Sequence, residues 1–216
     1  MSNQKFPIEN KNKITRIAKR GHYDKKTIYS ILDETLICTL AFVRDGIPFQ
    51  IPTLFCRIGN TIYIHGSVGA GYMRFFDDEK IPVNISVQLL DALVLARSAF
   101  HHSANYRSVI IFSQPKPITN KKKILQILEV LTNRIHPNRW NDVRAISKKE
   151  LLATKIIAFP IQSASAKIRT GPPIDDEEDY NSKYWAGIIP IETKREKPIS
   201  DPKLNPKIKI PKYLKK

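Results

Sequence analysis

TLICTLAFVRDGIPFQIPTLFCRIGNTIYIHGS, residues 35–67, holds three runs rich in β-branched and aromatic residues, separated by Asp45-Gly46 and Gly59-Asn60. Both dipeptides tolerate the positive φ that a tight hairpin demands. The stretch reads as three antiparallel strands in succession. Pro48 and Pro52 lack an N–H, so the middle run belongs at a sheet edge or a bulge, where backbone groups are free for another use.

Upstream, Asp24 can cap a helix over KKTIYSILDE, with Ile28, Ile31 and Leu32 on one face. Downstream, YMRFFDD reads as a short helix and IPVNISVQLLDALVLARS as a strand. RSAFHHSANYRSVIIF, residues 97–112, sets a polar cluster ahead of a further strand. Asn120 can cap KKKILQILEVLTNRI, whose stripe is Ile124, Ile127, Leu128 and Leu131. Ser147 with Glu150 forms a capping-box pattern, and KIIAFPIQSASAKIRT is read as the last strand. No strand–helix–strand regularity appears. The expected class is mainly β, an antiparallel barrel of six or seven strands with helical insertions.

The 216 residues are 42% hydrophobic, enough for one core. No apolar run approaches the roughly 20 residues that cross a bilayer, and the first residues lack an apolar leader, so a cytoplasmic location without membrane insertion is expected. The net charge of +16 sits mostly at the ends, with +5 on residues 1–20, +6 on residues 191–216 and +5 between. Residues 1–20 and 192–216 are therefore expected as basic, flexible tails around a domain spanning 21–191. A tail that touches RNA, membrane or an acidic partner is the alternative. Cys38 and Cys56 lie in apolar runs without partner spacing and are expected reduced and buried.

IHGSVGAG, residues 64–71, places a strand end, glycines and a serine before a helix. An anion cradle and a plain turn are both open readings. The five histidines never show ligand spacing, and adjacent His101 and His102 would face opposite sides of a strand, so no metal site is expected. Ser67 and Ser103 lack a G-x-S-x-G elbow. Lys167 and Arg169 share one strand face, where two cations favour an anion or water between them. By the same alternation Tyr106 and Ser108 face one side and Asn105 and Arg107 the other, so several donors converge on one mouth. Trp185 is either core or a flat apolar wall.

TIYSILDE, GIPFQIPTLF, IYIHGS, LVLARSAFHHSANYRSV, ELLAT, SAKIRTGPP…DDEEDY and WAGIIPI together resemble the FMN-binding split-barrel family. Within it the sequence is similar to pyridoxamine 5'-phosphate oxidase-related and nitroimidazole-reductase-like flavoproteins, from about Arg20 to Ile191. The resemblance implies a six-stranded Greek-key split barrel that dimerises, with FMN at the interface. It implies an FMN-dependent oxidoreductase acting on a small molecule, with NAD(P)H as an electron donor. Pro52 and Thr53 would then follow the isoalloxazine edge, and His65, Gly66 and Ser67 would approach the ribityl phosphate. Relatives commonly carry a serine–arginine pair after HGS; here the loop reads VGAGYMR, which moves the phosphate cation to Arg74, Lys167 or Arg169. Ser103, Asn105, Tyr106 and Trp185 would line the mouth, and Arg97 or Arg107 would stabilise the reduced ring. His101 or His102 is the expected proton donor. A non-catalytic flavin-binding module stays open. A basic nucleic-acid-binding barrel is disfavoured, because no strand face alternates aromatic and basic residues.

Overall fold

The computed structural model describes residues 4–214; residues 1–3 and 215–216, at the extremities of the two expected tails, lie outside the described residues. The chain runs through β1 (Gly21–His22), α1 (Lys25–Glu34), β2 (Ile37–Arg44), β3 (Ile47–Ile58) and β4 (Thr61–Ser67). Asp45 and Gly46 take φ of 53° and 76°, so β2 and β3 meet through a two-residue turn of the expected kind. Gly59, at φ 60°, opens the next turn. Counting from Arg44↔Ile47, the pair that closes the first turn, Pro48 and Pro52 fall at alternate positions whose missing N–H points away from β2. The prolines therefore cost the ladder nothing, and that side of β3 is an edge.

The chain continues through α2 (Gly71–Phe75), β5 (Val83–Leu95), β6 (Ser103–Ser113), β7 (Lys116–Ile118), α3 (Lys121–Ile135), α4 (Lys148–Ala153), β8 (Thr154–Pro160), β9 (Ser163–Arg169) and β10 (Gly187–Pro190). One antiparallel sheet runs in the order β1-β9-β6-β5-β2-β3-β4-β8-β7, with β10 added against β5. Its two ends do not join. The class is mainly β, as expected, and the architecture is an open, split barrel. The strands outnumber the expected six because the run expected as one last strand breaks at Ile161-Gln162 into β8 and β9, which pair with different neighbours. Short β1, β7 and β10 add three more.

α1, α3 and α4 start where the sequence places a cap, while α2 opens at Ala70 without one. Asp24 accepts from the Thr27 N–H at 2.8 Å, Asn120 from Lys123 at 3.0 Å, and Ser147 and Glu150 form the reciprocal box at 3.2 and 2.8 Å. The main core lies inside the barrel beneath α1, where Ile28, Ile31 and Leu32 meet Leu40, Phe55 and Phe76. A second cluster joins Ile124, Ile127 and Leu131 of α3 to Cys56, Tyr63 and Ile156 on the outer face of β3, β4 and β8. Both cysteines are buried and unbridged, and burial pushes their thiols up to about 12, which leaves them inert as nucleophiles.

The expected tails also differ from solvated chain. Phe6 and Asn12 are buried, and Asn12 donates to Pro7 and Ala164 carbonyls while accepting from the Glu9 N–H at 2.7 Å. At the other end the Tyr213 hydroxyl donates to Asp142 at 2.6 Å. Among the described residues no helix is long and apolar enough to cross a membrane.

Candidate functional site

The β3–β4 ladder stops at Phe55↔Ile64, yet β3 continues to Ile47 and β4 to Ser67. Beyond that point β3 pairs only with β2 and β4 only with β8. The facing edges, Ile47–Leu54 and His65–Ser67, diverge and leave backbone groups without ladder partners. This is the split in the barrel. Five of the sequence-predicted residues, Pro52, Thr53, His65, Gly66 and Ser67, lie on its two lips.

The inner end of the split is a narrow cleft lined by Leu36, Leu54, Phe55 and His65 and roofed by Leu128, Leu131, Thr132, Arg134 and Ile135 of α3. His65 is exposed to solvent, and its ring makes no hydrogen bond among the described residues. Desolvation where its ring meets the cleft presses its pKa below the ordinary histidine value, which favours the neutral imidazole. Arg134 was not anticipated from the sequence. Its Nη2 donates to the Leu32 and Thr35 carbonyls at the end of α1, where a cation complements the helix terminus. Its guanidinium lies 5.0 Å from the centre of the Phe55 ring with Nη1 3.7 Å from Asp33, and its Nε is buried with no partner among the described residues. Gly66 admits Met73 of α2 onto β4, since a Cβ there would sit 2.8 Å from Met73 Cγ. The Ser67 hydroxyl accepts from the Gly69 N–H at 3.1 Å, and Arg74 stands exposed on α2 nearby.

The remaining predicted residues gather elsewhere, mostly with partners inside the chain. Arg97 donates its N–H and Nη1 to Asp175, both at 2.9 Å, and stacks over Tyr180 at 4.8 Å. His101 is in a helical turn rather than a strand, with Nε2 3.2 Å from Asp176, while His102 Nδ1 lies 2.9 Å from the Ser98 carbonyl. Asn105 accepts from Arg169 and donates to the Gly171 carbonyl at 3.0 Å, which pins the loop after β9. Arg169 is buried without a carboxylate partner among the described residues; burial, then the nearby charge of Arg20, presses its pKa down. Lys167 and Ser103 keep open sides. Tyr106 pairs across the sheet with Arg169.

Arg107 is held by Asp91 and Glu34, with Nη2 at 2.7 and 2.8 Å from them. That triad occupies a wider cleft, about 780 Å³, which shares Leu36 and Arg134 with the His65 cleft. Trp185 is neither core nor lip. The residue is 70% exposed, and its ring leans on Gly187. The motifs were readable, but the carboxylates that engage them, Glu34, Asp91, Asp175 and Asp176, were missed because contact with them depends on the fold. Among the described residues no group of three metal-ligating side chains forms.

A family model of pyridoxamine 5'-phosphate oxidase matches residues 24–168. The chain belongs to that family. It is similar to a flavocytochrome from Azotobacter vinelandii, 34% identical over 95% of both chains with a TM-score of 0.90. It is also 34% identical to an FAD and haem binding protein from Mycobacterium smegmatis, over 90% of this chain and 95% of that one, with a TM-score of 0.85. A candidate 5-nitroimidazole antibiotic resistance protein from Bacteroides thetaiotaomicron shares the fold, at 18% identity over 68% of this chain and 86% of its own, TM-score 0.58. No curated protein matches.

Proposed function

We propose that this chain is a redox protein that binds a flavin and a haem at the split between β3 and β4. The observation that carries the reading is His65: a neutral imidazole without a hydrogen-bond partner, set against apolar walls and an arginine with a buried spare donor. That donor set suits a haem, which wants an imidazole ligand, apolar faces and a cation for its carboxylates. Likeness to the flavocytochrome and to the FAD and haem binding protein supports both cofactors, and the latter favours FAD over the FMN expected from the sequence.

A flavin exchanges electrons in pairs or singly and a haem singly, so together they connect a two-electron donor, NAD(P)H in this reading, to a one-electron step. Within the chain, the unpaired edge at Pro52 and Thr53 would hold the flavin ring by backbone contacts. Ser67 and Arg74 would meet its phosphate side. Leu128 and Leu131 would keep water from the cleft, and Arg134 would hold a carboxylate. A small-molecule acceptor completes the reading.

The partner in this reading is a second copy of the chain. Ile37, Leu90, Leu93 and Ile189 are each more than 40% exposed, and Leu93 and Ile189 are directly paired across β5 and β10. Such an apolar strip suits a homodimer interface. The site is tested by absorbance of the purified, haem- and flavin-supplemented full chain beside His65→Ala. The substitution is expected to abolish the haem Soret band and spare the flavin bands. An unchanged Soret band would remove His65 from the haem site, and a wild type with neither signal would remove the whole reading.

A further inference from the structure

The segment after β10 was expected to be a solvated basic tail, yet both its ends are fixed. The Ile191 N–H donates to the Asp91 carbonyl at 2.9 Å. At the far end Tyr213 reaches Asp142, accepts from Arg139 at 3.2 Å and packs 5.2 Å from the His136 ring. Between them, Asp201 and Asn205 each accept from the backbone two residues on, at 2.7 and 3.0 Å, which shapes the span into two turns. The span nevertheless turns apolar side chains outward, with Ile199 97% and Ile208 57% exposed. A plain linker needs neither anchored ends nor such residues.

The loop between β9 and β10 is its chemical complement. Arg97 grips Asp175 and Tyr180, and His101 meets Asp176, so the loop is held stiffly. It presents Glu177 and Glu178, which form no salt bridge among the described residues, beside Ile174 at 63%, Tyr184 at 63% and Trp185 at 70% exposure. An acidic, apolar knob thus precedes and a basic, apolar arm follows the same exposed strand, β10, and no hydrogen bond or salt bridge among the described residues joins the two. A twofold axis beside β10 would set the knob of each copy against the arm of the other.

We infer that residues 192–214 form an arm that clasps the acidic knob of a second copy. This rests on the homodimer reading above, and it adds the residues that lock the pair. The test is the dimer dissociation constant of the full chain, measured by sedimentation at low and high salt. Glu177→Lys with Glu178→Lys, and separately Lys203→Glu with Lys207→Glu and Lys209→Glu, are each expected to weaken the dimer roughly 10-fold at low salt. Combining the two sets is expected to restore most of the loss, which only direct pairing does. All five positions are exposed, so the fold is spared. A dimer that none of these changes moves overturns the clasp and leaves the homodimer standing. A wild type that stays monomeric overturns both. An unmoved dimer whose arm variant instead loses affinity for anionic vesicles or single-stranded nucleic acid assigns the arm to that partner and overturns the clasp.

Discussion

Asp175 shows how one carboxylate turns two sequence motifs into one structure. Its side chain is fully buried, 78 residues from Arg97, and it accepts from both the backbone and the guanidinium of that residue. Burial alone would push its pKa up. The N–H and the charge of Arg97 outweigh burial and hold it below the usual carboxylate value. Between the folded value and the ordinary value near 4, the unfolded chain binds more protons, so stability rises with pH across that interval. The contribution is whole above about pH 4 and disappears as pH falls through the folded value. Asp175→Asn is therefore expected to lower the melting temperature at neutral pH and to flatten the acid limb below about pH 4. Thermal melts across pH check this, and an acid limb as steep as the wild type's would refute it.

At the scale of elements, α3 links the fold to the site. Its buried stripe closes the second core, and the same turns roof the His65 cleft. Leu131 does both. Leu131→Ala is expected to cost about 2–4 kcal/mol in denaturant unfolding, the usual range for a buried leucine whose site only partly collapses. A loss below about 1 kcal/mol would mean that α3 is not seated as described. Caps, hairpin turns and the amphipathic stripes of α1 and α3 were legible in the sequence, because each is decided within a few residues. The break between β8 and β9 was not, because Ile161-Gln162 carries no turn signal and the two halves differ only in distant partners. β10 escaped notice for the same reason. In the site, the lips of the split were legible from local motifs. Arg134 was not, since on the sequence it is one more cation at a helix end.

For the molecule as a whole, the net charge of +16 is concentrated in the two terminal segments. Its terminal share belongs to segments that the structure ties down, through Phe6 and Asn12 at one end and Tyr213 at the other. What organises the molecule instead is the unclosed sheet, whose split collects the free strand edges, the unpartnered histidine and the orphaned arginine donor in one place. The decisive measurement is the flavin and haem content of the purified full chain after reconstitution, with the released flavin identified by mass. The account predicts one haem and one flavin per chain, the flavin being FAD. A chain that takes up flavin but no haem contradicts the role given to His65, and a chain that takes up neither contradicts the central claim.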